Sequence, residues 1–496
     1  MSAGLLIGLV VILLIVLLAI RMPVALALAL SGAVGLVLLR DAEYATNQIG
    51  AIPFSQTNSF SLTIIPMFIL MGIFAVKARI AEQVYAVARY AFRWVPGSLG
   101  VATVMACAGF AAVSGSSIGT AATMSRLSMT EMRRAGYPDS LAGASVAVAG
   151  TLGALIPPSL FLVLYAIMTG ESVAAMLAAG IIPGLISAIA YATYIIITAK
   201  RNQAEWDARA VSLDAALARA AGTGDALAER GSAAPGLTEA GTGGLVPAAV
   251  GKEARAAAEN VDTSVLPGAG HRTRLRDLPM RGVVRVAILF LIVLGGIYSG
   301  FFTPTESAAV GALAAAIMLV LEYRKDGIAV MSRNFVEALK ETAGTTSMVF
   351  AIVIGSAILS AFFINARLPQ MATGWVEGMG LSPYLTVALL LLLLLPLGMA
   401  LESISILVIS VPLIYPIATS LGFDGIWLGV LIVKFIEIGM VTPPVGINCF
   451  VVAGTSNTRV ETIFRGVAPF VLLELVVVTL LFALPELSTW LPSLIR

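Results

Sequence analysis

The chain has few of the side chains on which disulfides, metal centres and most hydrolytic active sites depend. It contains two cysteines, Cys107 and Cys449, both in apolar stretches, and one histidine, His271, in a polar stretch. Two such cysteines provide neither a disulfide framework nor a Cys-rich metal site. An intramembrane serine hydrolase would need a base beside its nucleophile, and the sequence has no HExxH motif and no evident pair of intramembrane aspartates. We therefore predict that the protein is not an enzyme and uses no organic cofactor.

Charged side chains are also scarce. They make up 12 % of the 496 residues, whereas a soluble domain carries about 25 %. Hydrophobic residues account for 59 % and the mean hydropathy is +0.97, which indicates a multi-pass protein of the lipid bilayer. The net charge of +2 gives no indication of nucleic-acid binding. No GxxxxGK[ST] nucleotide-binding loop occurs, so a gradient must drive any transport.

Long uninterrupted apolar runs are fewer than the composition suggests. Residues 5–20 are apolar, but Arg21 follows them where a signal peptide would need small residues, so we predict a first transmembrane helix rather than a cleaved signal. A spanning helix needs about 20 apolar residues. Four shorter runs are predicted to be half-helices or arms of re-entrant hairpins: 98–113, 141–156, 159–169 and 445–454. Two amphipathic segments, 77–94 and 322–341, are predicted to lie at the membrane interface.

A polar interval at about 201–280 separates two halves, 1–200 and 281–496. It is rich in Ala, Gly and mixed charge, and apart from a short helix at 203–220 it has no core pattern, so we predict mostly disorder. Basic residues crowd the helix ends on both sides, which places the interval in the cytoplasm. It is interpreted as a linker between the halves, with docking of a partner as the alternative.

The two halves share a pattern of prolines. Pro157 of one Pro-Pro pair precedes Pro183 by 26 residues, and Pro443 of the other precedes Pro469 by the same interval. Each pair interrupts an apolar run, and the freed backbone groups must find partners in protein or in a water-filled cavity. Such breaks in corresponding places of two repeats are typical of secondary transporters with a binding site near mid-membrane.

Polar side chains concentrate near these breaks. Ser114, Gly115, Ser116, Ser117 and Thr120 form a hydroxyl-rich segment between apolar arms. Hydroxyl and carbonyl oxygens suit Na⁺, and helix N-termini suit an anion. The alternative is close helix packing through small residues. Arg79 and Arg367, at similar distances before each Pro-Pro pair, extend the match between the halves.

The breaks themselves supply further oxygens. The first offers the carbonyls of Gly153 and Ile156, and the second offers Thr442, Gly446 and Asn448. An amide inside an apolar run needs partners, so Asn448 is a candidate ligand. The alternative is a kinked helix with a structural amide.

Glu402 follows about 18 apolar residues and, with Ser403 and Ser405, parallels the hydroxyl cluster of the first half. An acid at that depth is a site candidate, whereas a carboxylate exposed in a loop between two spans is the alternative. Two other sets of charges have simpler interpretations. Lys434 and Glu437 lie three residues apart on one helix and favour a structural pair, and Glu306 favours a helix cap.

Five segments resemble the large membrane subunit of TRAP transporters, the tripartite ATP-independent periplasmic carriers. They read SGSSIGTAAT, GTLGALIPPSL, GFFTPTESAAVGA, LGMALESISILVISVPLIYPI and GMVTPPVGINCF, and they are spread over both halves. The resemblance implies an all-α polytopic elevator-type transporter with two inverted repeats, broken helices and two re-entrant hairpins. The hairpin tips then fall at 114–117 and near 402–405. Two departures are Glu402, where the family usually has aspartate, and the length of the 201–280 interval.

The resemblance also implies function and partners. It implies Na⁺-driven import of an organic acid across the bacterial inner membrane, with Na⁺ as the coupling ion. The implied partners are a periplasmic substrate-binding protein and a small membrane subunit of about four helices. The predicted substrate-binding residues are Ser116, Ser117, Thr120, Glu402, Ser403, Ser405 and Asn448. The predicted Na⁺ ligands are Ser114, Gly115, Gly153, Ile156, Glu402, Thr442 and Gly446. The alternative is a stand-alone carboxylate symporter, coupled to Na⁺ or H⁺, without a binding protein.

Overall fold

The computed structural model describes residues 3–222 and 279–495, apart from 21 and scattered positions between 369 and 381. Within this part of the chain the regular structure is helical, with no strand. The helices are α1 Ala3–Ala19, α2 Val24–Leu39, α3 Ala42–Thr57, α4 Ile64–Lys77, α5 Ile80–Ala91, α6 Ser98–Ser114, α7 Ser117–Arg134, α8 Asp139–Thr151, α9 Leu160–Thr169, α10 Val173–Gly222, α11 Met280–Tyr298, α12 Pro304–Tyr323, α13 Ile328–Asn365, α14 Pro383–Leu392, α15 Leu394–Ala400, α16 Ser403–Ser420, α17 Gly425–Val441, α18 Ile447–Ser456, α19 Val460–Ala483 and α20 Glu486–Ser493.

Seven of the described helices are long and apolar enough to cross a bilayer, which supports the prediction of a multi-pass membrane protein. Apolar side chains such as Ile12, Leu291 and Leu472 are exposed on their surfaces, as lipid contact requires. At the centre, α17 is buried along its whole length. Its apolar residues face neighbouring helices on every side, as in a core helix, and its two charged residues, Lys434 and Glu437, are buried with them.

Both hairpins and both broken helices predicted from the sequence are present. The first hairpin, called hairpin 1, is formed by α6 and α7, and the first broken helix by α8 and α9. The second hairpin, called hairpin 2, is formed by α15 and α16, and the second broken helix by α17 and α18. We call the interruptions at 152–159 and 442–446 break 1 and break 2.

The backbone repeats the match between the halves. Arg79 and Arg367 follow α4 and α13, and both adopt the uncommon left-handed conformation, with φ of 55° and 59°. Helix α4 packs against α12, whereas α13 packs against α2. In both contacts a helix of the first half packs against a helix of the second half. Pro183 and Pro469 lie inside α10 and α19, the helices that come after the two broken helices.

The two segments predicted to be interfacial helices are arranged differently. Lys77 is the last residue of α4, and residues 80–86 of α5 are buried against neighbouring helices rather than lying on a membrane surface. The segment 322–341 is not one helix, because a turn at 324–327 separates the end of α12 from the start of α13. Burial within the protein therefore accounts for the amphipathic pattern of 80–86, whereas most residues of 324–341 are exposed.

The helix predicted at 203–220 is present as the C-terminal part of α10, which continues without interruption to Gly222. Trp206 is 2 % exposed and packs on Tyr137, with ring centroids 4.3 Å apart. This contact fixes the first turns of the interval against the protein. The predicted disorder concerns residues 223–278, which lie outside the described residues.

Candidate functional site

The tip of hairpin 1 is a two-residue turn between α6 and α7. Gly115 adopts φ +60°, which a glycine accommodates without strain. The Ser116 hydroxyl caps α7 by accepting a hydrogen bond from the Gly119 amide at 3.1 Å. The hydroxyls of Ser114 and Thr120 are hydrogen-bonded to each other across the turn at 2.8 Å. The predicted cluster of hydroxyls therefore also shapes the turn.

Break 1 faces this tip. A Cβ at Gly153 would lie 3.3 Å from the carbonyl oxygen of Ser116, so the two backbones approach closely. The Pro157–Pro158 pair is buried. After it, the Ser159 hydroxyl caps α9 by accepting from the Leu162 amide at 3.4 Å. Break 1 is thus an ordered buried loop that ends in a second capped helix N-terminus.

The tip of hairpin 2 is built on Glu402, which is the N-cap of α16. Its carboxylate oxygens accept hydrogen bonds from the amides of Ile404 at 3.0 Å and Ser405 at 3.2 Å. The Ser405 hydroxyl also donates to it at 3.3 Å. Neighbouring Ser403 contacts the sulfur of Met440. Glu402 is half-buried, so it matches neither of the two predicted environments fully: it lies at a helix terminus, partly shielded from water.

Break 2 differs from break 1 in exposure. The prolines of its Pro443–Pro444 pair are exposed, and the Thr442 hydroxyl donates back to the Ile438 carbonyl at 2.5 Å. Asn448 is fully buried at the start of α18. Its side-chain amide donates to the carbonyl of Ala147 in α8 at 3.4 Å, and so joins the two broken helices.

A cleft lies between the two hairpin tips. Its walls come from five places: α4, the tip of hairpin 1, the end of break 1 together with the first turn of α9, α13, and the tip of hairpin 2. Its empty volume of about 1090 Å³ includes the open mouth. The predicted site residues that line it are Ser114, Gly115, Ser116, Ser117, Glu402 and Ser403.

The other predicted site residues lie outside the lining of this cleft. They are Thr120, Gly153, Ile156, Ser405, Thr442, Gly446 and Asn448. Thr120 and Ser405 are bonded within their own hairpin tips. Ile156 packs against α10, where a Cβ at Gly184 would lie 2.8 Å from its side chain. The structure therefore brings the two hairpin tips together at the cleft, whereas break 2 lies apart from it.

Two unpartnered oxygens stand out among the predicted residues. Ser117 is one of the residues that line the cleft, although its hydroxyl is buried, and the Asn448 side-chain oxygen lies at the contact with α8. Both atoms are buried and have no hydrogen-bond partner within the described part of the chain. A buried polar atom without a partner costs free energy, so each of these oxygens is suited to an additional ligand.

Both positive and negative groups line the cleft. The first residues of α7, α9 and α16 all line it, and helix N-termini carry partial positive charge. Lys77, only 4 % exposed, also lines the cleft and lies 3.5 Å from Glu337 and 3.8 Å from Glu341 on α13. Glu341 and Glu402 are the acidic residues among the described lining.

Sequence reasoning missed the wall that α4 and α13 contribute. Lys77 and Glu341 belong to the two segments that were predicted to be amphipathic interfacial helices. Gly72 was missed because an isolated glycine in an apolar run gives no positional signal. A Cβ at Gly72 would lie 2.6 Å from the carbonyl oxygen of Ser114, so α4 touches the tip of hairpin 1 at this point.

The sequence profile described as "Tripartite ATP-independent periplasmic transporter, DctM component" matches residues 11–487 of the chain. The chain belongs to this family. It is thus a permease component of the TRAP transporters, as the sequence motifs predict, and the comparison covers both hairpins and both breaks.

Relatives in this family have been named for several substrates. The chain is 31 % identical to the C4-dicarboxylate TRAP transporter large permease protein DctM of Pseudomonas aeruginosa, over 89 % of this chain and 88 % of that protein. It is 29 % identical to the sialic acid TRAP transporter large permease protein SiaM of Vibrio cholerae, over 88 % and 87 %. It is 26 % identical to the ectoine/5-hydroxyectoine large permease UehC of Ruegeria pomeroyi, over 88 % and 86 %.

A solved structure shares the fold of this TRAP permease. The YdaH transporter of Alcanivorax borkumensis aligns with a TM-score of 0.57 over 93 % of this chain and 97 % of that one. The sequences are 15 % identical, so the likeness concerns the fold alone.

Proposed function

We propose that this chain is the translocating subunit of a Na⁺-driven TRAP transporter that imports an organic acid across the bacterial inner membrane. The observation that carries the proposal is the cleft between the two hairpin tips, where three helix N-termini and one buried lysine meet. Family membership supplies the transport class. The cleft supplies the argument that the cargo is an anion.

Lys77 is the cationic group on which a substrate carboxylate would dock. Its ammonium group lies 3.5 Å from Glu337 and 3.8 Å from Glu341, which are 42 % and 31 % exposed. These separations are longer than a direct charge-assisted hydrogen bond of about 2.7–2.9 Å. A substrate carboxylate in the cleft would therefore compete with Glu341 for a lysine that is loosely paired and held by burial.

The oxygen chemistry supports Na⁺ as the coupling ion. Hard cations take hydroxyl, amide and carbonyl oxygens, which the hairpin tips and breaks offer. Ser117 and Asn448 each present a buried oxygen without a partner in the described chain. Their proposed role is to bind Na⁺ beside break 1 and break 2, and the positive charge of the ion would add to the attraction for the anion.

The proposed movement is that of an elevator. Hairpins and broken helices would move together as a transport unit against a scaffold that includes α2, α4, α12 and α13. The contact between Gly72 and hairpin 1 lies on this boundary. Ions and substrate drive the cycle only if both bind the same movable state more tightly, because a ligand without such a preference shifts no equilibrium.

Two partners complete the proposed transporter: a small membrane subunit and a periplasmic protein that delivers the substrate. The relative named isethionate TRAP transporter permease protein DctMQ is longer than this chain, and the match covers 59 % of it.

The test is uptake into proteoliposomes that contain the chain, its small subunit and the binding protein. The organic acid is first identified by the melting shift it produces in the binding protein. We expect uptake to need an inward Na⁺ gradient. Ser117→Ala and Asn448→Ala should each slow it roughly fivefold to a hundredfold, because each removes an interaction worth about 1–3 kcal/mol.

The matched control is Ser347→Ala, since this exposed hydroxyl on α13 bonds only its own helix, at the Ala343 carbonyl. Unchanged, Na⁺-dependent uptake by folded Ser117 and Asn448 variants would remove these residues from the ion sites. Equal uptake with and without the binding protein would favour the stand-alone symporter.

A further inference from the structure

A buried ionisable cluster, apart from the cleft, joins three helices of the core. Lys434 on α17 lies between Glu437 on the same helix, at 3.0 Å, and Glu474 on α19, at 2.9 Å. Lys434 is fully buried, Glu437 is 2 % exposed and Glu474 is 4 % exposed. We call Lys434, Glu437, Glu474 and Tyr191 of α10 the lysine–glutamate cluster.

The hydrogen bonds of the ammonium group are complete. Lys434 donates to Glu437, to Glu474 and to the Ser187 hydroxyl at 2.8 Å, which uses all three of its donors. The Tyr191 hydroxyl donates to the same oxygen of Glu474 that Lys434 contacts. This leaves one oxygen of each carboxylate, Oε1 of Glu437 and Oε2 of Glu474, buried without a hydrogen-bond partner in the described chain.

Both glutamates line a small cavity that they share with Thr151 and Tyr191. It has room for about one water-sized particle. Thr151 is the last residue of α8, and Val441, which also lines the cavity, is the last residue of α17. The cavity therefore adjoins the point where each broken helix begins its break.

The charges of the cluster do not balance. Two carboxylates and one ammonium group leave one net negative charge among groups that are shielded from water, which is unfavourable inside a membrane protein. Two titratable groups lie on elements next to the cluster. The Cys449 thiol of α18 contacts the Val441 carbonyl, and Glu402 lies at the tip of hairpin 2. The remaining charges of α8, α17, α19 and α20 and of their N-caps are exposed near helix ends, at Asp139, Asp424, Arg459, Glu461, Arg465 and Glu486. The charged residues of α10 between 200 and 209 are exposed as well.

We propose that the lysine–glutamate cluster is a binding site for one exchangeable proton, held between Glu437 and Glu474. A proton taken up from water on either unpartnered oxygen brings the net charge of the cluster to zero. It also turns an acceptor-only carboxylate into a donor, which gives the orphaned oxygen a hydrogen bond to make. No bond other than the O–H bond forms or breaks.

A proton fits the cluster better than a metal ion. The described residues contain no group of three or more His, Cys, Asp or Glu side chains placed to hold a metal. Both carboxylates already bind the ammonium group through one oxygen, so neither can chelate an ion with both. The proposal concerns proton binding and does not depend on which substrate the protein carries.

The test is infrared spectroscopy of the purified full-length protein across a pH titration. A protonated carboxyl group has a carbonyl band distinct from that of a carboxylate. We expect this band in the wild-type protein at neutral pH and its loss as the pH is raised. Glu437→Gln and Glu474→Gln should each lose the band, because either change removes the excess negative charge. The control Glu461→Gln alters an exposed carboxylate of α19 and should retain it.

Absence of the band from wild-type protein at neutral pH, or its persistence in both cluster variants, would overturn the proposal. Should one variant unfold, the other decides the matter, because either substitution removes the excess negative charge. The titration of the wild-type protein is repeated in sodium and in N-methylglucamine salts. The same band in both salts supports a proton, whereas loss of the band on adding Na⁺ would assign the site to a metal cation.

Discussion

The contact between α4 and hairpin 1 allows a sharp test, the substitution Gly72→Ala. The new Cβ would lie 2.6 Å from the carbonyl oxygen of Ser114, whereas ordinary contacts begin at 3.4 Å. The tip or the helix must therefore move by about 0.8 Å. Overpacking of this kind costs about 1–3 kcal/mol. The change from glycine to alanine in a helix returns about 1 kcal/mol, so we expect a net loss of stability of about 0–2 kcal/mol.

The matched control is Gly344→Ala in α13, where an added Cβ meets nothing within 4 Å. Only the gain in helix propensity applies there, so the control should be slightly more stable than wild type. Thermal unfolding of both purified variants gives the difference, and uptake in proteoliposomes gives the functional effect. We expect slower uptake only for Gly72→Ala, since Ser114 belongs to the cleft. Equal stabilisation and normal uptake for both variants would refute the contact.

Three further predictions concern single residues. Lys77→Gln should raise the half-saturating substrate concentration of uptake about tenfold to a hundredfold, because a charge-assisted hydrogen bond contributes about 1.5–3 kcal/mol. An unchanged half-saturating concentration would exclude Lys77 from the substrate site. Glu402→Gln keeps an oxygen that can cap α16 but loses its charge, so the Na⁺ dependence of uptake should change while the folded state persists; an identical Na⁺ response would leave Glu402 with capping alone. Trp206→Ala should lower the free energy of unfolding by about 3–5 kcal/mol, because the side chain is buried against Tyr137. Replacing 223–278 with a flexible linker should leave thermal unfolding and uptake as in wild type. Equal effects of the two changes on unfolding would contradict the packing of Trp206 on Tyr137.

Local chemistry made much of the fold predictable. Proline pairs interrupt helices wherever they occur, so the two breaks follow from the sequence directly. Glu306 was predicted to cap a helix, and it forms a reciprocal capping box with Thr303. The pairing of Lys434 with Glu437 is likewise confirmed. In each case the partners lie within a few residues of each other.

The parts that sequence reasoning missed depend on contacts between distant segments. Glu474 completes the pairing of Lys434 from another helix, 40 residues away. Lys77 was assigned to an amphipathic surface segment, because periodicity does not distinguish water from a polar cleft inside the protein. The role of Gly72 follows only from its distance to hairpin 1. The sequence therefore identified the residues of each hairpin tip, but not the contacts between distant segments that bring the two tips to one cleft.

The central claim is that the cleft between the two hairpin tips holds the transported anion. The most direct test is to determine the structure of the reconstituted transporter with the organic acid that its binding protein selects. We expect a carboxylate of the ligand beside Lys77 and close to the N-terminus of α7. A ligand bound outside the cleft would contradict the claim that the cleft holds the transported anion.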